Sequence, residues 1–201
     1  MNATSHEYLI GIDEVGRGPI AGPVAVGAFI FLTPDAKKLF RGVKESKQLT
    51  EEKREEWYVK ICEAQKAGHV DFCVTMQSEK VIDTKGLSFA IKKCLETSLK
   101  KIASDPEKTR VLLDGGLKAP VHFKHQKTII KGDAKEIVIA LASICAKVLR
   151  DRKMKKYAEK YPAYGFDIHK GYGTQGHYKM VKKIGLSDLH RKSFCKKLIL
   201  T

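Results

Sequence analysis

The chain of 201 residues has no long apolar run, and this shortage limits what kind of protein it can be. The longest weakly polar stretch, from Pro19 to Leu32, is shorter than a membrane span and is interrupted by two prolines and two glycines. The stretch from Met1 to Glu7 lacks a basic segment followed by an apolar one, which is the pattern of a secretory leader. The sequence therefore predicts neither a transmembrane helix nor a secretory signal.

Cysteine is also scarce, and its spacing suits neither metal nor disulfide chemistry. The five cysteines are widely separated, odd in number and without a C-x-x-C pair, and they stand at positions 62, 73, 94, 145 and 195. We expect Cys62, Cys73, Cys94 and Cys145 to be small core residues because they occur in apolar patterns. This profile is typical of a reducing compartment, so we expect a cytoplasmic protein without a zinc site.

Acidic residues are few in the last part of the chain. The whole sequence holds 38 Lys and Arg against 23 Asp and Glu, a formal net charge of +15. Residues 1–114 have 18 basic and 17 acidic side chains, whereas residues 115–201 have 20 basic and 6 acidic ones. A local excess of this size favours a polyanionic partner, nucleic acid first and an anionic membrane surface second. A basic surface without a specific partner is the alternative.

Apolar periodicity predicts an α/β domain with a mixed central sheet flanked by helices. The predicted strands are Tyr8–Ile12, Val24–Phe31, Val70–Met76, one from Val111 that ends at Asp114, and Lys127–Ile130. The predicted helices are one that Thr50 caps, one over Ser88–Ile102, a long buried one that Asp133 caps, and one over Thr174–Ile184. We expect a catalytic domain over residues 1–152 and a small, basic, helical appendage that binds substrate over residues 153–201.

Two of the predicted strands end in acidic residues, at Asp13-Glu14 and at Asp114. Open α/β sheets place their sites where the strands leave the core. Carboxylates that met there would repel one another unless a cation joined them, and an all-oxygen ligand set selects hard cations such as Mg²⁺ or Mn²⁺. For each acid alone, a role as a turn former or a helix cap is the simpler alternative.

The first acidic pair lies in the segment Gly11-Ile12-Asp13-Glu14-Val15-Gly16-Arg17-Gly18-Pro19. Its glycines allow a ligand to approach the backbone closely, and Arg17 stands among amides in an arrangement that suits a phosphate or a sugar edge. The segment is neither a Walker loop, which needs G-K-[ST], nor a dinucleotide-binding fingerprint, whose glycine spacing differs. This context favours a ligand site over a simple turn.

With these residues the sequence resembles the type 2 ribonucleases H, most closely the bacterial ribonuclease HII enzymes, over nearly its whole length. The segment from Gly11 to Val24 resembles the opening motif of that family, and Leu113-Asp114-Gly115 resembles its second acidic strand. The other matching segments are Lys131-Gly132-Asp133 with Ala142 to Asp151, Tyr164-Gly165-Phe166, His169 to Thr174, and His190 to Phe194.

The resemblance implies a ribonuclease H-like fold and a metal-dependent endonuclease that cleaves the RNA strand of RNA–DNA hybrids. It also implies incision 5′ to a ribonucleotide embedded in duplex DNA, and hence a part in ribonucleotide excision repair. Carried over by position, the catalytic and metal-binding acids are Asp13, Glu14, Asp114 and Asp133. The segment Gly16-Arg17-Gly18 corresponds to the loop that reads the ribose 2′-hydroxyl, and Tyr172 corresponds to the tyrosine that joins it.

The expected chemistry follows from these acids. We expect two Mg²⁺ or Mn²⁺ ions with substrate bound, and cleavage that leaves 5′-phosphate and 3′-hydroxyl ends. Contact with a 2′-hydroxyl is the direct physical way to tell RNA from DNA. Without the resemblance, Tyr172 would be interpreted as a half-buried aromatic residue on a loop.

Asp133 and Asp151 compete as the fourth acid. They are 18 positions apart, and an unbroken helix would separate them by roughly 27 Å. The two ions of a two-metal site lie only about 4 Å apart, so one site cannot use both residues. Asp133 stands at the helix start and agrees with the resemblance. Asp151 is expected to form a local ion pair beside Arg150 and Arg152.

Further basic residues are candidates for contacts with backbone phosphates. The predicted contacts are Lys47, Lys147, Lys170 and Arg191, and further candidates are Lys179, Lys182, Lys183 and Lys192. Each would add salt dependence without specifying sequence, and a solvated helix face is the alternative for each. The histidines at positions 169, 177 and 190 lack the close spacing of a metal site, and His169 and His190 are interpreted as structural or phosphate-contacting residues.

Two segments depart from the family pattern. Glu45-Ser46-Lys47 has Glu where the family usually has Asp, and Lys85-Gly86-Leu87 stands where it usually has Asn-Ile. A polar substrate contact at the second segment is either missing or made by Lys85. Neither departure changes the four acids.

Two other functions remain open at this stage. One is a nuclease or transposase that acts only on DNA, although Arg17 with its flanking glycines and Tyr172 would then have no 2′-hydroxyl to contact. The other is a non-catalytic basic binding protein, in which four clustered acids would repel the phosphates. We expect a monomer that binds RNA–DNA hybrids and ribonucleotide-containing DNA duplexes, with no membrane partner.

Overall fold

The computed structural model describes residues 8–103 and 105–199, and its centre is a five-stranded mixed sheet. The strands are β1 Tyr8–Val15, β2 Val24–Phe31, β3 Val70–Gln77, β4 Thr109–Asp114 and β5 His125–Ile129. Their order in space is β3-β2-β1-β4-β5, with β1 antiparallel to β2 and parallel to β4. The predicted mixed sheet flanked by helices is therefore confirmed. The residues from Met1 to Glu7, where the sequence predicts no leader, lie outside the described part of the chain.

Helices cover both faces of this sheet. In the described ranges the α-helices are α1 Ala36–Leu39, α2 Glu51–Lys66, α3 Glu79–Lys85, α4 Leu87–Ile102, α5 Gly132–Lys135, α6 Ile137–Lys160, α7 Phe166–His169, α8 Gln175–Ile184 and α9 Lys196–Ile199. Thr50 caps α2 as predicted, since its hydroxyl accepts a hydrogen bond from the Lys53 amide at 3.3 Å. The sequence did not predict α3. Among the described helices, none is both long and apolar enough to cross a membrane.

The long helix α6 packs directly on the backbone of the two central antiparallel strands. A Cβ atom at Gly11 would overlap the Val138 carbonyl group, and one at Gly27 would overlap the Ala142 carbonyl oxygen. Strand residues alternate between faces, so Ile10 and Ile12 turn to the opposite side, where they pack in a core with α4. This close packing fixes the position of the β1 acids, Asp13 and Glu14, relative to α6.

The C-terminal elements form a third apolar cluster and fasten the loop that follows β1. The cluster consists of Ala21, Met154, Tyr164, Phe166, Val181 and Leu189. The amide of Ile20 donates to the Gly171 carbonyl at 2.9 Å, and the amide of Arg191 donates to the Ile20 carbonyl at 2.8 Å. The predicted boundary between residues 152 and 153 falls inside α6, which continues to Lys160.

Two details differ from the expectations. Asp13 and Glu14 do not follow the first strand but lie within it, paired with Gly27 and Val26 of β2, because antiparallel pairing continues to Val15. Asp133 does not cap the long helix. It lies in the short helix α5, and α6 begins at Ile137 after an extended residue, Glu136.

Candidate active site

The four predicted acids come from three neighbouring parts of the fold. Asp13 and Glu14 lie near the end of β1, and Asp114 ends β4, the parallel neighbour in which Leu113 pairs with Ile12. Asp133 follows β5 on α5, and the Gly132 amide beside it donates to Asp114 Oδ1 at 2.6 Å. The carboxyl ends of parallel strands meet at one sheet edge, which explains why residues so far apart in sequence converge here.

Each of these acids has a different polar partner. Asp13 Oδ1 accepts a hydrogen bond from the Glu14 amide at 2.7 Å, and Arg17 Nη1 donates to Glu14 Oε1 at 3.0 Å. Lys47 Nζ lies 3.6 Å from Asp133 Oδ2, which is an ion-pair distance and too long for a hydrogen bond. The acids are therefore held by Arg17, Lys47 and backbone amides rather than by one another.

Burial and mutual repulsion act on the acids of β1. Burial is the main cause that raises the pKa of Asp13 to about 7; the hydrogen bond with Ser143 opposes it, and the charges of Glu14 and Asp114 add to it. Burial also raises the pKa of Glu14, against the stabilising contact with Arg17. Clustered carboxylates of this kind bind a cation readily, because a cation relieves both the burial cost and the repulsion.

The side chains present fit a divalent cation. Glu14 Oε2 and Asp133 Oδ2 are buried carboxylate oxygens without a hydrogen-bond partner, and such atoms are costly unless a cation or donor satisfies them. The acids offer only oxygen ligands, which suit hard ions. As they stand, no three acidic, histidine or cysteine side chains within residues 8–103 and 105–199 are placed to hold one ion. Binding of one ion by three of these side chains would therefore require the carboxylates to move.

A cavity of about 250 Å³ opens above the acids. Its lining residues are Asp13, Glu14, Val15, Gly16, Arg17, Gly18, Ser46, Lys47, Arg54, Asp114, Ser143, Lys147 and Tyr172. Asp133 lines an adjacent cavity of about 360 Å³ instead, with Glu45. Burial alone would lower the pKa of Lys47, but the charges of Asp133, Asp13 and Asp114 together raise it. Lys47 therefore interacts with acids of both cavities.

Two buried arginines hold the backbone of the loop from Gly16 to Pro23. Arg191 donates from Nη2 to the Gly16 carbonyl at 2.7 Å, from Nη1 to the Arg17 carbonyl at 3.0 Å, and from Nε to the Gly22 carbonyl at 3.0 Å. Arg150 donates from Nε to the Pro23 carbonyl at 2.9 Å. Because these guanidinium groups occupy the loop carbonyls, the shape of the loop is set before any ligand arrives.

Gly16 and Gly18 serve different purposes in this loop. Gly16 has a φ of +94°, and a Cβ atom there would overlap the Arg150 side chain, so both backbone and packing require glycine. A Cβ atom at Gly18 would meet only Tyr172 Cε1, at 3.9 Å. A methyl group at Gly18 would just reach van der Waals contact with Tyr172, so the two residues face each other across a space about one methyl group wide.

Tyr172 faces this space from the other side. Its side chain is 40% exposed, and Lys147 Nζ and Arg150 Cζ lie 6.0 and 5.9 Å from its ring centre. Tyr172 lines the same cavity as Asp13 and Asp114. All four residues predicted to contact the ribose line this cavity: Gly16, Arg17, Gly18 and Tyr172.

The predicted phosphate contacts divide into two groups. Lys47 is exposed at the cavity, and Lys147 lines it while its Nζ lies 2.7 Å from Asp151 Oδ1. The predictions for Arg191 and Lys170 are wrong. Arg191 has no exposed surface, and its N–H groups donate to loop carbonyls. Lys170 is buried, and its Nζ donates to the Asp167 carbonyl and lies near Glu51.

Asp151 forms an ion pair, but not with the neighbours expected from the sequence. Its partner is Lys147, one turn earlier on α6, whereas Arg150 points inward to backbone carbonyls. Arg152 binds Glu55 on α2, with its Nη2 2.5 Å from Oε2. Asp151 is thus separate from the acids of the cavity.

The comparison of the whole chain with known proteins agrees with this geometry. The family model described as Ribonuclease HII matches residues 10–197, which include all four acids, the loop and Tyr172. The chain belongs to the ribonuclease HII family.

Relatives support this membership over most of the chain. The ribonuclease HII of Clostridium beijerinckii is 43% identical over 196 residues, which is 97% of this chain and 70% of that protein. The ribonuclease HII of Caldicellulosiruptor bescii is 38% identical over 194 residues, covering 96% of this chain and 89% of the relative. A ribonuclease HII is a ribonuclease H, an endonuclease that hydrolyses RNA paired with DNA, and its family depends on divalent metal ions.

Solved structures show the same fold. The ribonuclease H2 of Pyrococcus horikoshii OT3 superimposes with a TM-score of 0.75 at 26% identity, over 95% of this chain and 96% of that one. Bst-RNase HIII in complex with Mn²⁺ superimposes with a TM-score of 0.68 at 20% identity, over 98% of this chain and 71% of that one. The predicted ribonuclease H-like fold is confirmed.

Three further side chains of this ribonuclease HII site were not predicted. Ser143 of α6 lowers the pKa of Asp13, against the effect of burial, and its hydroxyl lies 2.8 Å from the Ser46 hydroxyl. Arg54 lines the cavity, and its Nη1 donates to the Ser46 carbonyl at 3.0 Å. The only available signal for Ser143 was a hydroxyl in an otherwise apolar helical run. Lys85, a candidate replacement for a family contact, lies instead over the Phe89 ring at 5.0 Å and does not line the cavity.

Proposed function

We propose that this protein incises DNA duplexes on the 5′ side of an embedded ribonucleotide, in addition to cleaving the RNA strand of hybrids, and leaves 5′-phosphate and 3′-hydroxyl ends. The observation that carries the proposal is that Gly18 and Tyr172 face each other in the same cavity that three of the four acids line. A ribose placed there would bring its 2′-hydroxyl to the loop and its 5′-phosphate toward the carboxylates.

We assign Asp13, Glu14, Asp114 and Asp133 as the ligands of two Mg²⁺ or Mn²⁺ ions that bind with substrate. The buried oxygens of Glu14 and Asp133 that lack a hydrogen bond support this assignment. When bound, such ions lower the pKa of an attacking water and neutralise the charge that develops on the leaving oxygen. The raised pKa of Asp13 means that this side chain must lose a proton for full ligand strength near neutral pH.

The chain's own contribution is recognition and positioning. The amides of the Gly16-Arg17-Gly18 segment and the Tyr172 hydroxyl contact the 2′-hydroxyl, which DNA lacks. The water oxygen forms a bond to phosphorus as the bond between phosphorus and the upstream 3′ oxygen breaks, and a proton ends on that 3′ oxygen. The 2′-hydroxyl belongs to the nucleotide downstream of the cut, so it is recognised and does not act as the nucleophile.

Lys47 and Lys147 supply the phosphate contacts nearest the cut. Both line the cavity, and each is paired with a carboxylate that a phosphate would replace. Residues 153–201 form the basic substrate-binding region that packs on the catalytic domain, with Lys179, Lys182 and Lys183 on or near α8 as outer contacts. These lysines add affinity that falls with salt and carry no sequence information.

We also propose that the protein acts as a monomer in the cytoplasm. The Gly16-Arg17-Gly18 segment, the acids and Tyr172 all come from one chain, so the site needs no second copy. The five cysteines are unpaired, which suits a reducing compartment.

The test uses three labelled duplexes of one sequence: an RNA–DNA hybrid, a DNA duplex with one ribonucleotide, and an all-DNA control. With Mg²⁺ or Mn²⁺ we expect cleavage of the first two, a single cut 5′ to the ribonucleotide in the second, and none with EDTA. Asp114→Asn is expected to bind both substrates but to lose roughly 100-fold or more in rate, whereas Asp35→Asn, a change at an exposed acid, retains activity. Equal cutting of the all-DNA control would favour a DNA nuclease, and binding without cleavage would favour a non-catalytic binding protein.

A further inference from the structure

Three histidines that the proposed chemistry does not use, His169, His177 and His190, form a cluster next to the backbone of Tyr172. The rings of His169 and His177 are nearly parallel, with centres 4.1 Å apart. The Nε2 atoms of His177 and His190 lie 3.0 Å apart, and both residues are almost completely buried. A buried chain of this kind is stable only when every nitrogen has the right partner.

The partners assign the proton on each ring. His177 Nδ1 lies 2.9 Å from the Tyr172 carbonyl, which can only accept, so His177 carries its proton on Nδ1. Its Nε2 is then an acceptor, and His190 Nε2 must donate to it. His190 Nδ1 in turn accepts from the Ser187 amide at 2.9 Å, which agrees with a proton on Nε2 of that ring.

The third ring follows the same rule. His169 Nε2 lies 2.7 Å from the Tyr164 carbonyl and therefore donates to it, while His169 Nδ1 accepts from the Gly171 amide at 3.1 Å. All three rings are neutral in this arrangement, since each has one donor and one acceptor in use. Burial lowers the pKa of His177 and of His190 to about 4, which agrees with neutral rings.

The series of hydrogen-bonded histidines ends on the backbone of Tyr172 and its neighbours. The Tyr172 carbonyl accepts from His177, its amide donates to the His169 carbonyl at 2.9 Å, and the preceding Gly171 amide donates to the His169 ring. The backbone before it is also unusual, because Lys170 has a φ of +52° although it is not glycine. Such a conformation persists only where surrounding contacts hold it.

We propose that His177, oriented by His190, is a positioning residue that holds the Tyr172 backbone so that the tyrosine hydroxyl faces the space beside Gly18. The inference rests on the proposed role of Tyr172 in contacting the 2′-hydroxyl. His177 touches neither substrate nor metal ligand, and it acts through one hydrogen bond to the Tyr172 carbonyl.

Two substitutions at His177 separate its two nitrogens. An asparagine amide nitrogen takes the place of Nδ1, so His177→Asn keeps a donor for the Tyr172 carbonyl. A glutamine amide reaches the place of Nε2, so His177→Gln keeps the contact with His190 and loses that donor. On the duplex with one ribonucleotide, we expect the single-turnover rate to fall roughly tenfold for His177→Gln and to stay within about threefold for His177→Asn.

Combination with Tyr172→Phe shows whether the effect passes through the tyrosine hydroxyl. In that background His177→Gln should cause no further loss of rate, because the group it positions is already absent. An equal loss in both backgrounds, or equal rates for the two His177 variants, would overturn the inference. Inactivity of the unmodified protein on every substrate would instead contradict the proposed function, so the two failures are distinguishable.

A measurement on the unmodified protein covers the case in which a variant does not fold. Long-range proton–nitrogen NMR spectra at pH 7.5 should show His177 protonated on Nδ1, and His169 and His190 protonated on Nε2. Assignment comes from selective replacement of single histidines. A proton on Nε2 of His177 would remove the hydrogen bond to Tyr172 and overturn the inference.

Discussion

Arg17 Nη1 lies 3.0 Å from Glu14 Oε1, so the loop proposed to recognise ribose is joined to one of the acids proposed to bind metal. Glu14 is nearly buried, whereas the Arg17 side chain is 54% exposed. The other Glu14 oxygen is buried without a hydrogen-bond partner. The ion pair therefore sits at the border between the recognition loop and the acids, and a phosphate or a cation that arrives there competes with it.

Arg17→Ala tests the loop cation. We expect a stability change of at most about 1 kcal/mol, since one end of the pair is exposed. Affinity for a ribonucleotide-containing duplex should fall, and the slope of log affinity against log salt should decrease by about one, because one phosphate contact is lost. Fluorescence anisotropy at several salt concentrations measures both, with Arg41→Ala, a change at an exposed arginine outside the cavity, as the matched control. An unchanged slope would argue against a phosphate contact by Arg17.

The two glycines of the loop should respond differently to alanine. Gly18→Ala meets no atom closer than 3.9 Å and requires no positive φ, so we expect normal stability but slower incision, because the methyl group enters the space facing Tyr172. Gly16→Ala requires a φ of +94° and overlaps Arg150, so we expect a clear loss of stability. Thermal unfolding and single-turnover rates distinguish the two. A normal rate for Gly18→Ala would show that the ribose does not occupy that space.

Arg191 is expected to matter for stability rather than for phosphate binding. Its three donors satisfy the carbonyls of Gly16, Arg17 and Gly22 in a fully buried position. Arg191→Lys keeps the charge but loses the planar guanidinium group that donates these three hydrogen bonds. We expect a loss of roughly 2–4 kcal/mol in the free energy of unfolding. Urea denaturation beside Arg41→Lys measures this loss. Equal stability of the two variants would contradict the structural role.

The raised pKa of Asp13 predicts a pH-dependent effect of Asp13→Asn. Between about pH 4 and pH 7 the folded protein keeps a proton on Asp13 that the unfolded chain has lost, so this group lowers stability as pH rises through that window. Without metal, Asp13→Asn should therefore be more stable than the unmodified protein at pH 8, with a much smaller difference at pH 5. Urea denaturation in EDTA at the two pH values tests this. A difference that does not change with pH would contradict a raised pKa.

Local sequence patterns predicted the strands of the sheet and pointed to three acids that line one cavity, for a physical reason. Buried strands need continuous apolar runs, and an acid beside such a run stands out, as Asp114 does after β4. The pattern failed at Asp13, which lies inside β1, because the end of a strand depends on how far its partner continues to pair. The same limit applies to Asp133, whose short helix α5 ends at a break that no residue type signals.

Long-range contacts account for what the sequence did not predict. Arginines are usually exposed, so Arg191 was predicted to contact phosphate, yet the carbonyls that satisfy it lie near the start of the chain. The histidine chain depends on the same kind of contact, since His177 and His190 meet only after α8 and the following loop have folded together. The residues proposed to perform chemistry were visible in the sequence, whereas the contacts that hold them in place were not.

The most direct test of the account varies one atom group of the substrate. Single-turnover incision is measured on four duplexes that differ only in the 2′ substituent of one nucleotide: hydroxyl, hydrogen, fluorine or O-methyl. We expect a single metal-dependent cut 5′ to that nucleotide for the hydroxyl alone, with a 3′-hydroxyl and a 5′-phosphate at the break, and a reduced rate for Tyr172→Phe. Incision of the deoxy duplex at the same rate and position would contradict the central claim.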